Sequence, residues 1–405
     1  MTTEAPGVET PYFNPFDPDF RANPYPYYKR LYGRPPALVE LFIPFALVAR
    51  YADAAAIIHD HTHFSSKRPP TGVGFEPQNE LFRDAATVLF SDPPDHTRLR
   101  RLVSRAFTPK RIKDLEPKIR EITTTLLDEA ATRGRFDAIA DLATPLPVMV
   151  IAEMLGVPRA DYARFKHWSD TIIERRNVPP GGTVPQEHRR AIADVRAFFA
   201  DEIEKRRQNP TDDLIGVLVT AHEESESLSA SELLAFVILL LLAGNETTTN
   251  LIGNGMLALG RNLAQLDLLR RDPARMPSAI EEMLRYDGPV QSTARHPNEE
   301  VELAGTVLKP GTMVIVMIAA ANRDPAQFAD PDRFDITRTP NEHLAFGDGI
   351  HYCLGAALAR MEGAIAFGIA LERFPRLRLA EPSTPITYKG SYFLRGIATL
   401  PMAIS

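Results

Sequence analysis

The sequence predicts a mainly α-helical fold with small β-sheets at its edges. Apolar residues recur at helical spacing through most of residues 53–288, while shorter alternating segments lie near both ends of the chain. The elements do not follow a βαβ rhythm, and no repeat or low-complexity linker divides the chain. We therefore expect one domain over residues 1–405, with a proline-rich segment and a strand hairpin in 1–52, a helical part in 53–288, and mixed β-structure with a C-terminal helix in 289–405.

The predicted strands come in short pairs. "ALVEL" and "FALVARY", with a Phe-Ile-Pro turn between them, predict a hairpin over residues 37–41 and 45–51. Nine prolines in the first 45 residues indicate an irregular entry segment before it. "VELAGTVLKPGTMVIVMIAAA" predicts a second strand pair, and "TYKGSYFLRGIATLPMAI" predicts a final hairpin.

The longest predicted helix is long enough to cross the whole domain. Ser229 and Glu232 have the spacing of a capping box, and the helix that they open is expected over residues 230–260, roughly 45 Å at 1.5 Å per residue. Its apolar run, "LLAFVILLLLA", is shorter than the roughly 20 residues that a membrane span needs, so we expect a buried core helix. By contrast, "VPPGGTVPQEHRR" at residues 178–190 interrupts two helical stretches and predicts a mobile loop that serves as an access lid.

Composition narrows the classes of partner and compartment. The net charge of −6 gives no general attraction for nucleic acid or for anionic membranes. The N-terminus has neither the basic region nor the apolar core of a signal peptide, and a single cysteine fits a reducing compartment. We expect a cytoplasmic protein that binds no nucleic acid and no membrane.

The single cysteine lies in the glycine-rich segment "FGDGIHYCLG". Cys353 is preceded by Gly347, Gly349 and His351 and is followed by Gly355. Three roles are open on these residues alone: a buried inert thiol, a nucleophile with His351 as its base, or an axial ligand to a metal cofactor. The glycines leave room for a flat ligand, and a helix that begins after Cys353 would favour its thiolate through the dipole and free N–H groups of the helix N-terminus.

A threonine in the middle of the long helix marks a second candidate site. In "AGNETTT", Ala243 and Thr247 stand four residues apart and share a face with Leu239. The Thr247 hydroxyl can donate to the Ala243 carbonyl and open a local groove, and Glu246 beside it can relay protons. The alternative is an ordinary threonine run with Glu246 facing solvent.

One predicted helix carries an acid–base pair that is a candidate for a buried structural ion pair. Glu282 and Arg285 lie three residues apart on one helix face, and Arg333, in a proline-bounded loop, is the candidate third member of a buried charge network. Such pairs are also common on surfaces, where they contribute little to stability.

Four cationic or hydrogen-bonding residues suit a ligand that carries two carboxylates. His96 and Arg100 lie one helical turn apart and point the same way, while Arg295 follows the apolar stretch "GPVQSTA" and His351 precedes the cysteine. Taken one at a time, each of them also fits an ordinary surface position.

Five motifs, taken in order, resemble those of the cytochrome P-450 family, specifically its soluble bacterial members. They are "RYADAAAII", "DPPDHTRLRRLV", "LLAGNETT", "EEMLRY" and "FGDGIHYCLG", and together they cover nearly the whole chain. The cysteine segment is highly specific, whereas the others are specific only as an ordered set. The resemblance implies the single-domain fold of that family, a helix-rich triangular prism with haem between the long central helix and the helix after the cysteine.

The same resemblance implies a role for each candidate residue. Cys353 would ligate the iron of haem b, and the residues around the cofactor would be His96, Arg100, Ala243, Arg295, Phe346, Gly347, Gly349, His351 and Gly355. Glu246 and Thr247 would deliver protons for the cleavage of O2, although aspartate is the commoner acid before this threonine. Glu282, Arg285 and Arg333 would form a structural charge triad. The substrate pocket is implied at Leu239, Val290, Gln291, Thr293 and Phe393.

The implied activity is that of a haem-thiolate monooxygenase. Such an enzyme inserts one oxygen atom from O2 into a lipophilic small molecule by C–H hydroxylation or epoxidation. No dinucleotide fingerprint is found, because "GNGMLALG" breaks the required glycine spacing, so the electrons must come from another protein. The implied donors are a small ferredoxin and an NAD(P)H-dependent ferredoxin reductase, and the candidate docking patch consists of Arg98, Arg101, Arg105, Lys110 and Arg111.

We expect a monomer. Two rival functions stay open on the sequence alone: a haem-based sensor that binds without turnover, and a hydrolase with a cysteine nucleophile.

Overall fold

A helical body with small sheets at its margins makes up the computed structural model. The structure describes residues 14, 17–40, 44–67, 82, 85–174, 185–221, 227–389 and 393–404. In this part of the chain the α-helices are α1 (Pro18–Ala22), α2 (Tyr25–Tyr28), α3 (Tyr51–His59), α4 (Asp95–Ser104), α5 (Pro109–Asp114), α6 (Glu116–Arg133), α7 (Pro145–Met154), α8 (Tyr162–Glu174), α9 (Gln186–Gln208), α10 (Leu214–Thr220), α11 (Ala230–Arg261), α12 (Leu263–Arg271), α13 (Met276–Asp287), α14 (Ile318–Ala321) and α15 (Ala356–Arg373). The strands are β1 (Ala37–Glu40), β2 (Pro44–Val48), β3 (Phe64–Ser65), β4 (Phe136–Asp137), β5 (Thr293–Pro297), β6 (Val301–Leu303), β7 (Thr306–Leu308), β8 (Met313–Val316), β9 (Arg378–Leu379) and β10 (Pro401–Ala403).

The described strands form three sheets. The largest has the order β1-β2-β8-β5-β3, in which β2 and β8 are parallel and the other neighbours are antiparallel. The second has the order β4-β10-β9, and the third is the β6–β7 hairpin. The hairpin predicted near the N-terminus is confirmed as β1 and β2, with Ala37 opposite Leu47.

Two strand predictions near the C-terminus need correction. The stretch predicted as one strand pair forms three strands, because β6 and β7 pair with each other while β8 joins the large sheet. The predicted final hairpin is shorter than expected: in its described part the strands pair around an antiparallel bridge between Tyr388 and Ile397, where the Lys389 N–H donates to the Gly396 carbonyl at 2.8 Å, and residues 390–392 lie outside the described residues. The last strand, β10, pairs instead with β4 and β9, which come from earlier parts of the chain.

The prediction of a loop at residues 178–190 is wrong at its C-terminal end. Residues 186–190 form the first turns of α9. Residues 175–184, which hold most of the predicted loop and lid, lie outside the described residues.

Helix α11 organises the fold, and its predicted capping box is confirmed. The Ser229 hydroxyl accepts from the Glu232 N–H at 3.2 Å, and the Glu232 carboxylate accepts from the Ser229 N–H at 2.8 Å. The first half of the helix packs into one apolar cluster with α7, α8, α9 and α10, and the second half into another with α6, α13 and α15. The polar segment at residues 245–250 lies between these two clusters.

By length and composition α11 is also apolar enough to cross a membrane. However, 61% of its most apolar window is buried inside the fold. This burial is typical of a core helix, as the sequence predicts.

Candidate functional site

The cysteine segment forms a tight loop that ends at the N-terminus of α15. The Cys353 N–H donates to the Phe346 carbonyl at 2.9 Å, which closes the loop. Burial raises the pKa of the Cys353 thiol, while the Gly355 N–H, which donates to the sulfur, and the nearby Arg100 lower it. Burial is the largest of these effects, so the pKa is raised overall, and the Gly355 N–H and Arg100 are the groups that would stabilise a thiolate at this position.

Backbone geometry explains two of the glycines. Gly347 and Gly349 have φ of +71° and +62°, which side chains rarely adopt. A Cβ at Gly349 would also lie 3.2 Å from the Cα of His59 at the end of α3. Gly355 differs, because no atom beyond its chain neighbours lies within 4 Å of the Cβ that it lacks, among the residues that the structure describes.

His96 and His351 meet, with ring centroids 4.3 Å apart. Arg100 and Arg295 lie near enough to influence the pKa of His351. Burial, together with the charges of His96 and Arg295, lowers that pKa to about 3, and burial lowers the pKa of Arg295 to about 10. Arg100 is fixed by a hydrogen bond of 2.7 Å to the Tyr352 carbonyl, next to the cysteine. The structure thus brings the four predicted groups to one place. Burial is the main cause of the lowered pKa of each group, neighbouring cations lower those of the two histidines further, and Asp92 offsets part of the effect at His96, Arg295 and His351.

The threonine of α11 also has the predicted geometry. The Thr247 hydroxyl donates to the Ala243 carbonyl at 2.6 Å. Glu246 is 6% exposed, so the alternative in which it faces solvent is wrong. On a different side of the helix, Asn245 donates to the Ser169 hydroxyl and Thr249 donates to the Ala143 carbonyl, so these bonds anchor the helix and leave Thr247 on the face of Ala243.

Comparisons with known proteins find relatives over nearly the whole chain. The cytochrome P450 family profile matches residues 274–398. Cytochrome P450 CYP107DY1 of Priestia megaterium is 46% identical over 323 residues, which cover 80% of this chain and 78% of that protein. Cytochrome P450 monooxygenase PikC of Streptomyces venezuelae is 42% identical over 392 residues, 95% of this chain and 92% of that protein. The solved structure of cytochrome P450 PksS of Bacillus subtilis matches with a TM-score of 0.88 at 36% identity, over 97% of this chain and 100% of that one. The chain belongs to the cytochrome P450 family.

Membership of this family establishes the cofactor and the class of reaction. The cytochrome P450 binds haem b and is a monooxygenase that inserts one oxygen atom from O2 into a lipophilic substrate, with electrons from redox partners. The predicted family, fold class, cofactor and reaction are confirmed. The sensor and the cysteine hydrolase are set aside.

The residues around Cys353 fit this cofactor. The Nε2 atoms of His96 and His351 are buried and have no hydrogen-bond partner among the described residues, so they can each donate to a carboxylate such as a haem propionate. Ala243 is exposed in the middle of the largely buried helix α11, and the position of a Cβ at Gly355 is open space. These residues fit haem: His96 and His351 would hold its two carboxylates, and Cys353 would supply a thiolate to its iron.

The charge network of the cytochrome P450 departs from the prediction at one residue. Glu282 and Arg285 are confirmed as a buried two-bond pair, at 2.8 and 2.9 Å. Arg333 is not its third cation: its side chain is 64% exposed and lies 3.5 Å from Asp335. Arg338 takes that place, 10% exposed, with its Nε 3.2 Å from Glu282.

Arg333 enters the network only through its backbone. Its carbonyl accepts hydrogen bonds of 3.1 Å from both Arg285 and Arg338. Glu282 also accepts from the Asp335 N–H at 2.8 Å and from Asn341 at 3.3 Å. The sequence analysis missed Arg338 and Asn341, because no spacing rule links a helix residue to a loop more than fifty residues away.

Of the predicted pocket residues, Val290 and Phe393 are brought together and Gln291 is turned away. Val290 bridges Leu394, and the Gln291 N–H donates to the Phe393 carbonyl at 2.8 Å. The Gln291 amide is used internally, since it accepts from the Tyr28 hydroxyl at 3.2 Å and donates to the Gly288 carbonyl at 2.9 Å. Gln291 is therefore unsuited as a polar anchor for substrate.

The other two predicted pocket residues, Leu239 and Thr293, differ in how much of the side chain is exposed. Leu239 is 8% exposed on α11. The Thr293 hydroxyl lies 3.2 Å from the Arg295 guanidinium, which donates to it. Thr293 is half-buried at the start of β5 and is available as a polar contact.

The predicted docking patch is smaller than five residues. Arg98 forms an ion pair with Glu232 at the start of α11, and this pair links α4 to that helix. Arg111 donates to the Asp212 carbonyl at 3.1 Å. Arg101 is half-buried, whereas Arg105 and Lys110 are exposed.

Proposed function

We propose that Cys353 is the axial thiolate of haem b, and that His96, Arg100, Arg295 and His351 hold its two propionates. The observation that carries this assignment is the pair of imidazoles with rings 4.3 Å apart and buried Nε2 atoms, which lies close to the only cysteine of the sequence. Haem supplies the activation of O2 when it is bound. The chain contributes the N–H of Gly355, which moderates the basicity of the sulfur, and buried cations, which neutralise two carboxylates in a site of low dielectric.

The carbon monoxide difference spectrum of the reduced protein tests this assignment. We expect a strongly red-shifted Soret band in the wild type and its loss in Cys353→Ser. His96→Ala and His351→Ala should keep the shifted band but bind haem more weakly, and Thr249→Val is a control on the fold outside the cofactor site. A red-shifted band in Cys353→Ser would overturn the assignment of the ligand.

We also propose that Glu246 and Thr247 deliver protons for the cleavage of O2. Burial of Glu246 and the bond between Thr247 and Ala243 support this role, because they hold an acid and a hydroxyl at one turn of α11 beside the open face of Ala243. Thr247→Ala should consume NADPH at a rate near that of the wild type while forming less product and more hydrogen peroxide. Equal yields of product per NADPH in the two proteins would contradict the proposal.

The substrate is proposed as a medium or large lipophilic molecule, and the protein as a cytoplasmic monomer. Leu239, Val290 and Phe393 offer apolar contact, and Thr293 offers one hydroxyl. The electron donors are proposed as a ferredoxin and an NAD(P)H-dependent ferredoxin reductase, with Arg101, Arg105 and Lys110 in the docking surface. Spectral titration with a panel of polyketides, steroids and fatty acids tests the substrate class, and light scattering tests the oligomeric state.

A further inference from the structure

Arg360, in the second turn of α15, connects its own helix to the cysteine segment. Its guanidinium lies over the ring of Phe346, 4.4 Å from the ring centroid, and donates to the Tyr352 hydroxyl at 3.1 Å. Both partners belong to the loop that the Cys353 N–H closes by donating to the Phe346 carbonyl. Arg360 therefore contacts this loop on both sides of its closing hydrogen bond.

Glu281 of α13 fixes the position of this guanidinium. Hydrogen bonds of 2.7 and 2.8 Å join the Nε and Nη2 atoms of Arg360 to the two carboxylate oxygens. A two-bond fork of this kind sets the orientation of a guanidinium as well as its position. His343, whose side chain is 3% exposed, lies 3.2 Å from the same carboxylate and accepts from the Ala345 N–H at 3.2 Å. The carboxylate is therefore held from a second side.

The Arg360–Glu281 pair is charged at neutral pH and acts on the cysteine. Burial alone would raise the pKa of Glu281, but Arg360 and His343 outweigh it and lower that pKa to about 2. The side chains of Arg360 and Glu281 are 35% and 29% exposed, so water screens their field only in part. Burial raises the pKa of the Cys353 thiol, and Arg360 is one of the cations that lower it.

The contacts of Arg360 differ from those of a cation that only waits for a docking partner. All three guanidinium nitrogen atoms donate within the protein, Nε and Nη2 to Glu281 and Nη1 to Tyr352. The guanidinium is therefore oriented before any other protein binds. Its charge stays beside the cysteine loop throughout the reaction.

We propose that Arg360, held by Glu281, raises the reduction potential of the haem iron by fixing a positive charge beside the Cys353 thiolate. The inference rests on the proposed role of Cys353 as the axial ligand. Reduction transfers one electron from ferredoxin to the ferric iron, which becomes ferrous, and it transfers no proton. A fixed cation stabilises the form that carries more negative charge, which is the reduced one. Arg360 is a positioning residue, because it acts on the iron through the cysteine loop.

The first test is the reduction potential of the holoenzyme, measured by anaerobic titration with dithionite and redox mediators while the Soret band is followed. No ferredoxin is present, so an effect on docking does not enter. Arg360→Gln should make reduction less favourable on the order of tenfold, which is about 59 mV for one electron. Arg360→Lys keeps the charge but loses the fork and the planar stack, and it should keep most of the potential.

Arg373→Gln is the matched control on the same helix. Arg373 also pairs with a carboxylate, at 2.8 Å from Asp128, and lies 5.8 Å from the ring centroid of Phe374. It lies about 20 Å further along α15, at 1.5 Å per residue, so its removal should leave the potential unchanged. An unchanged potential in Arg360→Gln, an equal fall in Arg360→Lys, or an equal fall in Arg373→Gln would overturn the inference.

Glu281→Gln separates the effect of charge from a general loosening of the loop. This variant breaks the same ion pair but removes the negative partner, and its amide oxygen can still accept from Arg360. The potential should therefore rise, in the direction opposite to Arg360→Gln. Damage to the loop would move both variants the same way, so shifts of the same sign would refute an electrostatic role.

The carbon monoxide difference spectrum distinguishes this inference from the assignment of the ligand. Arg360→Gln should keep the red-shifted band of the wild type, because Cys353 is still present. A wild-type band without the red shift would overturn both the ligand and the role of Arg360. A red-shifted band in the wild type, lost in Cys353→Ser, together with equal potentials in Arg360→Gln and the wild type, would overturn the role of Arg360 alone.

Discussion

Replacing Arg338 and Arg333 separately by alanine tests which arginine completes the Glu282 network. Arg338 is 10% exposed and lies 3.2 Å from Glu282. It also donates to the carbonyls of Ala329, Asp330 and Arg333 at 2.7, 3.2 and 3.1 Å. Removal of one partner of a buried ion pair costs about 3–5 kcal/mol. Because Arg285 still neutralises Glu282, and because the three carbonyls lie where water can reach them, we expect Arg338→Ala to lower the free energy of unfolding by ~2–4 kcal/mol.

Arg333→Ala provides the matched comparison from the same loop. Its side chain is 64% exposed and lies 3.5 Å from Asp335, and exposed pairs contribute roughly 0–1 kcal/mol. The backbone carbonyl of Arg333, which serves Arg285 and Arg338, is kept in the variant. Guanidinium unfolding of the holo-proteins, followed by circular dichroism and by the Soret band, measures both effects. A loss in Arg333→Ala that equals or exceeds the loss in Arg338→Ala would refute this interpretation of the network.

Three further predictions concern pH, the cysteine loop and the redox partner. Burial raises the pKa of Glu362 from 4.5 to about 8 in the folded protein, so the folded protein holds this proton more tightly than the unfolded chain. The stabilisation is complete at low pH, and the free energy of unfolding should fall by about 1.4 kcal/mol per pH unit as the pH rises between those two values. Glu362→Gln should remove that slope. Gly349→Ala places a side chain at φ +62° and should destabilise the folded protein by about 1–2 kcal/mol. Gly355→Ala, whose Cβ enters open space, should change the stability little and weaken haem binding instead. Equal unfolding midpoints for the two variants would contradict this difference. Arg105→Glu with Lys110→Glu should raise the KM for ferredoxin in steady-state assays, with an effect that shrinks as salt is added, and an unchanged KM at low salt would remove these residues from the docking surface.

Local patterns predicted the parts of the site that depend on neighbouring residues. The capping box at Ser229 needs only residues three apart, and the hydrogen bond from Thr247 to Ala243 needs only one helical turn. The Cys353 segment is similar, because its tight loop is closed within seven residues by the bond to Phe346. In each case the backbone between the partners has one well-defined path, so spacing is sufficient.

Residues whose partners come from distant elements were predicted less well. Arg333 and Arg338 lie in one loop, and the sequence does not reveal which guanidinium turns towards α13. The pattern also left out Tyr28, from the N-terminal segment, which uses the amide of Gln291. Arg98 was assigned to a docking surface, but it pairs with Glu232 because α4 crosses the start of α11. These outcomes depend on how separate elements pack, which a one-dimensional pattern does not contain.

The position of Glu246 and Thr247, the residues proposed to deliver protons, follows from how α11 is held. Each half of the helix lies in its own apolar cluster, so the polar turn between them is held from both ends. Buried polar residues in this turn would lower the stability of the fold if they had no hydrogen-bond partners, and the residues on each side of the helix have different partners. Asn245 bonds to Ser169 and Thr247 bonds back to its own helix at Ala243, while Asn250 lies against the C-terminal segment at Gly396. One helix can therefore anchor the core on one side and hold the Thr247 hydroxyl beside Ala243 on another, because these tasks fall on different sides of the same turn.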